Sequence, residues 1–230
     1  MAHLPACPPS AAPTDLPPLS LVALHARFIV IDKPAGLLAV PGRGADKQDC
    51  LAARVQARWP EALVVHRLDQ ATSGLMLFAR DLASQRTLSA AFAARALDKR
   101  YIAVVAGWLG PESGSVDAPL GADWPRRPLQ RVDPVHGKPS LTHWRVLERR
   151  LAEGARGCPT TRLELRPVSG RSHQLRVHLH SIGHAILGDA LYADPGVCEA
   201  APRLLLHASE LAFADPASGA AMRFFSSVPF

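Results

Sequence analysis

Between Val64 and Phe78, two apolar runs flank the polar segment Asp69-Gln70-Ala71-Thr72-Ser73-Gly74. The runs read as strands, and a rigid scaffold usually presents its reactive side chains on loops that join such strands. This loop offers an acid, an amide, two hydroxyls and a glycine. Arg67 lies just before Asp69, where its charge could keep the carboxylate ionised and oriented. A plain turn, with Asp69 and Ser73 bonded to local backbone, fits the same residues. The rest of the chain has to separate the two readings.

At 230 residues, 48% hydrophobic and 20% charged, the chain has material for one large globular domain or two small ones. No apolar run approaches the roughly 20 residues that span a bilayer, and the first twenty residues lack the pattern of a signal peptide. Cys7, Cys50, Cys158 and Cys198 are far apart without metal-type spacing, which suits free thiols in a reducing cytoplasm. The net charge of +6 and a pI near 9.6 favour a polyanionic partner. Apart from Lys33, Lys47, Lys99 and Lys138, the basic residues are arginines. Arginine suits phosphate and base-plane recognition, although a GC-rich genome enriches it too.

Six prolines in residues 1–20 predict an extended, mobile arm. Phe28–Ile31 reads as a strand closed by the turn Asp32–Gly36, and a helix from about Asp49 ends at Pro60. After the central stretch, Asp81 caps a helix whose Leu82, Leu88, Phe92 and Leu97 face one side. Lys99–Gly107 is a strand. Residues 108–140 read as Pro- and Gly-rich loops, in which Trp124, Arg126, Arg127 and Arg131 make either a nucleic-acid-facing loop or a solvated loop with a tucked-in Trp. Thr142–Leu151 and Thr161–Val168 pair as strands around a turn at Gly154 and Gly157. Leu175, Leu179 and Ile182 mark a helix ended by Gly183. Leu204–Leu206 and Met222–Phe225 are late strands. They follow one another too closely for βαβ alternation, so one compact α+β domain is expected.

His173, His178, His180 and His184 invite a metal reading, but Gly183 interrupts the one i, i+4 pair and no acidic residue lies among them. No Gly-x-Ser-x-Gly, Walker or dinucleotide-binding glycine pattern occurs. What remains is a well-placed carboxylate, many arginines, and Ser169-Gly170-Arg171-Ser172 at a helix start, a seat for an anion. A carboxylate nucleophile beside a phosphate seat suits covalent work on a nucleotide or sugar.

His66-Arg67-Leu68-Asp69-Gln70-Ala71-Thr72-Ser73-Gly74 resembles the signature of the RluA family of pseudouridine synthases. Asp32–Leu37, Lys99-Arg100-Tyr101, Gly170–His178 with Gly188-Asp189, and Leu206-His207-Ala208 match further family motifs in order. Asp123–Pro128 with Gly137-Lys138-Pro139 looks like the family's dual-specificity member, which lacks the N-terminal S4-type RNA-binding domain of larger relatives. Ala185 stands where the family usually has proline after Gly-His. The resemblance spans about residues 21–230, and the proline-rich arm is too short to form an S4 domain.

The resemblance implies a single catalytic domain with a mixed, mainly antiparallel sheet flanked by helices and loops. It implies a cytoplasmic, monomeric enzyme without cofactor or metal, turning uridine into pseudouridine in structured RNA. Its substrates would be a tRNA anticodon stem-loop and a 23S rRNA hairpin. Asp69 takes the family's nucleophile position. Tyr101 would pack on the uracil and its hydroxyl assist the final deprotonation, and Arg176 would pair with Asp69. Leu175 would cover the other face of the base, and Arg67 would enter the stack that the flipped base leaves. Arg171 would bind substrate. The rivals are an rRNA-only synthase, a non-catalytic RNA-binding or assembly factor on the same fold, and a histidine–metal hydrolase.

Overall fold

The computed structural model describes residues 19–151 and 159–230. Most of the proline-rich stretch 1–20, and the turn at Gly154 and Gly157, lie outside these residues; Ser20 already opens the first strand.

The chain begins with β1 (Ser20–Leu24) and β2 (Phe28–Lys33), then α1 (Leu51–Arg58), β3 (Leu63–Val64) and β4 (Ser73–Ala79). Every residue of β4 is buried, and β2 is buried except at Asp32. The cause is a helix on each face. Ile29, Ile31, Met76 and Phe78 pack toward Leu51 and Val55 of α1. The alternate residues Phe28, Val30, Leu75 and Leu77 pack with Leu88 of α2 (Leu82–Ala93). Strands covered on both faces read as continuous apolar runs rather than alternating ones.

Asp81 caps α2 as expected, its Oδ1 accepting the Ser84 N–H at 2.8 Å. Two expectations for this helix fail. Leu82 is exposed, and Leu97 is buried beyond the helix, which stops at Ala93. The stop is a Schellman motif: Ala96 N–H donates to Ala91 O and Arg95 N–H to Phe92 O. Its left-handed position, φ 60°, belongs to Arg95 where glycine is usual.

β5 (Asp98–Ala106) follows, and then the stretch expected to be loops. It contains β6 (Ser113–Asp117), β7 (Leu120–Ala122) and β8 (Gln130–Val132), short strands among glycines and prolines. β9 (Leu141–Arg150) and β10 (Thr160–Pro167) pair antiparallel as expected. α3 (Gln174–Ser181) ends before Gly183 at φ 82°. The short α4 (Pro195–Glu199), β11 (Leu206–Ala214) and β12 (Ala221–Phe225) complete the chain.

The main sheet runs β1-β2-β4-β11-β5-β10-β9-β6, with β3 beside β4 and β12 beside β11. Its pairings are antiparallel except β4 with β11, so the expected α+β, mixed and mainly antiparallel architecture is present. Leu163, Leu165, Ala103 and Val105 of the right half pack with Leu175 and Leu179 of α3. Among the described residues no helix is long and apolar enough to cross a membrane.

Gly74 sits where β4 meets β11. Its φ is +113°, and a Cβ there would lie 2.3 Å from the Ala208 carbonyl oxygen. Gly36, also left-handed at φ +86°, has nothing within 4 Å of its Cβ position. Urea denaturation should therefore separate them: Gly74→Ala loses about 3–5 kcal/mol, Gly36→Ala only about 1 kcal/mol. Equal losses would show that backbone conformation alone, not the approach of β11, requires Gly74.

Candidate active site

β3 hands the chain to an extended loop that reaches β4 through Asp69. Two anchors hold it. The Lys33 ammonium, fully buried, donates to the carbonyls of Pro34 (2.9 Å), Leu37 (2.7 Å) and Gln70 (3.0 Å). Gly36 N–H donates to Gln70 O, and Gln70 Nε2 returns a bond to Gly36 O. Burial pulls the Lys33 ammonium down to about 8, and the charge of Asp69 pushes it back up. The second anchor begins one residue after Thr72. Arg203 donates to Ser73 Oγ, which lies 2.9 Å from His207 Nδ1; His207 Nε2 lies 2.9 Å from Ser226 Oγ, and Ser226 donates to Asp32. A neutral His207 lets every donor in this chain point one way, and burial lowers its pKa.

Asp69, Tyr101, Arg176, Arg67, Leu175 and Arg171 all border one cavity of about 100 Å³. Tyr101 enters from β5, between Leu165 of β10 and Ala208 of β11. Burial, and then the charge of Asp69, pushes its phenol well above the ordinary tyrosine value. Leu175 and Arg176 are buried on the first turn of α3.

Arg176 pairs with Asp69 as expected, Nη1 to Oδ2 at 3.7 Å, and it also grips Asp189 at both oxygens, with Nε to Oδ2 at 2.8 Å. Two expectations need correction. Arg67 does not pair with Asp69; its Nη2 donates to Ser172 Oγ at 3.4 Å, and the side chain is exposed at the cavity mouth. The anion seat at the start of α3 is partly filled by the helix's own Gln174. Its Oε1 accepts Arg171 N–H at 3.0 Å and Ser169 Oγ–H at 2.8 Å.

Asp189, quoted from the sequence only as part of a motif, and His173, weighed only as a metal ligand, also belong to the site. Asp189 is 1% exposed beside an Arg176 that is 4% exposed, and it also accepts N–H bonds from Leu191 and Tyr192. His173, left-handed at φ 55° before α3, places Nδ1 2.6 Å from Tyr192 Oη and Nε2 4.0 Å from Asp69. Tyr192 Oη accepts Gln130 N–H, so its own proton is free for His173 Nδ1, leaving the imidazole proton on the nitrogen facing Asp69. The other histidines diverge: His178 faces Thr142 and Ala118 O, and His184 faces Ala106 O. Among the described residues no His, Cys, Asp and Glu side chains cluster as a metal site would require. Trp124, which was either RNA-facing or tucked in, is 68% exposed, with the Arg127 guanidinium 3.9 Å from its ring centroid.

Removing one member of a buried ion pair strands the other charge. Asp189→Ala should therefore cost about 3–5 kcal/mol in chemical denaturation, and a loss under 1 kcal/mol would show that Arg176 finds another partner. His66 gives a pH test. Its ring stacks on Phe92, its Nε2 accepts Leu77 N–H, and burial pulls its pKa from 6.5 to about 3. The unfolded chain thus binds a proton that the folded one refuses. This share of stability is complete above pH 6.5 and drains away as pH falls toward about 3. Unfolding free energies measured from pH 7 to 4 should decline, and less steeply in His66→Gln. An unchanged slope in the variant would assign the decline to other groups.

A family model of RNA pseudouridylate synthase matches residues 27–181. The chain is 45% identical over 206 residues to the dual-specificity RNA pseudouridine synthase RluA of Vibrio vulnificus, covering 90% of this chain and 81% of that one. It is 43% identical over 218 residues to the protein of the same name from Escherichia coli K12, covering 95% and 97%. Among solved structures, human RNA Pseudouridylate Synthase Domain Containing 1 superposes with a TM-score of 0.78 at 28% identity, covering 96% of this chain and 87% of that one. Human RNA Pseudouridylate Synthase Domain Containing 4 shares the fold, with a TM-score of 0.72 at 23% identity over 91% and 88%. An aspartate lining a cavity, the sequence match and the fold agree: this chain belongs to the RNA pseudouridylate synthase family.

Proposed function

We propose that the cavity around Asp69 isomerises uridine in two structured RNAs, a tRNA anticodon stem-loop and a 23S rRNA hairpin. The observation that carries the chemistry is the placement of the Asp69 carboxylate, 26% exposed in a cavity also bordered by Tyr101, Leu175 and the buried Arg176. The substrates are carried over from the dual-specificity relatives and from the loop at Trp124.

The target base has to leave its stack to reach such a cavity. The exposed Arg67 at the mouth is suited to fill the gap with its guanidinium plane. In the cavity, Tyr101 and Leu175 sandwich the uracil, and Arg171 contributes positive charge at its rim. Asp69 adds covalently to the base or the sugar, the bond from N1 to C1′ breaks, and the uracil turns. The bond from C5 to C1′ then forms, the bond to Asp69 breaks to return its carboxylate, and the C5 proton is lost to solvent as N1 takes one up. Arg176, braced by Asp189, keeps the carboxylate ionised and aimed. His173 Nε2–H adds a second donor toward the same group. Tyr101 contributes packing, and its hydroxyl at the cavity is placed to assist the final deprotonation. The enzyme works as a cytoplasmic monomer and needs no cofactor.

Tritium release from uracil C5, with metal chelated, tests this on transcribed hairpins of both kinds. Wild-type protein should release tritium from both. Asp69→Asn should lose more than about a thousandfold in rate while binding RNA within about twofold of wild type. Release undiminished in Asp69→Asn would remove the nucleophile assignment. Release from the rRNA hairpin alone would reduce the enzyme to a single substrate class.

A further inference from the structure

Two clefts open from the Asp69 cavity, and their linings differ in kind. One, of about 670 Å³, is walled by Leu38, Ala39, Val40, Ala190 and Leu191. The other, of about 400 Å³, is bounded by Arg67, Arg95, Lys99 and Arg171 and backed by His66 and Phe92. It merges with the cavity through Arg67, Lys99, Tyr101 and Arg171.

The cations of the second cleft lack counter-charges. No ion pair among the described residues engages Arg67, Arg95, Lys99 or Arg171. By contrast, Glu164 pairs with Arg100, Arg145 and Arg166, and Arg100 also reaches Asp98 and Glu210. The Lys99 ammonium, which lies 3.9 Å from where a Cβ on Gly170 would stand, has its pKa lowered by burial and by the charge of Arg95. Arg171 Nε is buried without an acceptor. Arg95 holds the left-handed end of α2, where glycine would relax the backbone. A residue that breaks a local rule and carries a charge into a cleft points to function.

We infer that this cleft binds a backbone phosphate of the RNA immediately beside the target uridine. The inference rests on the proposed reading of the Asp69 cavity. With the base in that cavity, the strand must pass over its rim. A phosphodiester offers the convergent cations charge-assisted hydrogen bonds that a base edge does not, whereas the larger, mainly apolar cleft sets its Arg67 and Arg176 beside the Asp69 carboxylate, which repels a phosphate. Held there, the phosphate fixes the nucleotide's backbone while Arg67 replaces its base in the stack. His66, neutral and stacked on Phe92, supplies a wall rather than a charge.

The test removes one charge from the RNA and one from the protein. Hairpins with a single methylphosphonate 5′ or 3′ of the target uridine are titrated with wild type and Lys99→Gln. One of the two modified RNAs should bind wild type about tenfold more weakly but Lys99→Gln by less than about twofold, since that contact is already gone. Equal losses in both proteins overturn the assignment. Arg95→Gly separates binding from folding: it should melt no lower than wild type, because its backbone is relieved, while RNA affinity falls several-fold. Unchanged affinity overturns its part in the cleft. On oligouridine, the slope of log affinity against log salt should become shallower by about one ion in Lys99→Gln, and an unchanged slope counts against the cleft. That arm needs no turnover, so absence of tritium release from both hairpins would defeat the substrate reading while leaving the cleft separately measured.

Discussion

The geometry of the site depends on a charge that borders none of the substrate cavity. Lys33 is fully buried at the end of β2 and engages all three ammonium N–H groups with carbonyls. One belongs to Gln70, the residue after Asp69. An isolated buried ammonium is very unfavourable; three carbonyl dipoles around it make the arrangement tolerable and specific. The loop after β2 and the loop after β3 are thereby locked together, and Gln70 repeats the lock with its side chain. Asp69 is therefore held by backbone, where a rotamer cannot relax it.

Around that clasp the two halves of the sheet contribute different things. The left half, with α1 and α2 on opposite faces, provides Asp69 and the end of α2 that carries Arg95. The right half provides Tyr101 from β5 and Arg176 from α3. Their junction is short: β4 and β11 pair through Ser73 with His207 and Gly74 with Ala208. The hydrogen-bond chain from Arg203 through Ser73, His207 and Ser226 to Asp32 crosses the same seam. A displacement at this seam moves nucleophile and base platform apart, which is why polar side chains are concentrated there and each has a partner.

Much of this was readable in the chain because the signals were local. Asp81 announced a cap, Gly183 a helix end, and the apolar runs at β2 and β4 two strands. The six candidate residues came from motif resemblance, and they share one cavity. The misses share a cause too. Asp189 lies thirteen residues from Arg176, a separation with no periodic signature, so this second partner of Arg176 went unread. β6 is a strand because the distant β9 pairs with it, while β7 and β8 pair with each other across a short loop; their glycines and prolines read locally as loop. Leu82 has the spacing of a core residue, but it lies on the solvent side of the first turn. The left-handed backbones of Arg95 and His173 have no sequence cue, since both positions favour glycine.

The position of β11 has a consequence for how the protein is made. β11 is near the end of the chain in sequence but central in space, between β4 and β5. Until residues 206–214 emerge from the ribosome, β4 and β5 present unpaired edges, and Gly74 lies against nothing. The nascent chain can collapse around α1 and α2, yet it cannot bring Asp69 and Tyr101 into one cavity. Synthesis of a late strand thus acts as a timer that couples chain completion to catalytic competence. It also leaves a window in which bare sheet edges must be kept from pairing with a neighbour.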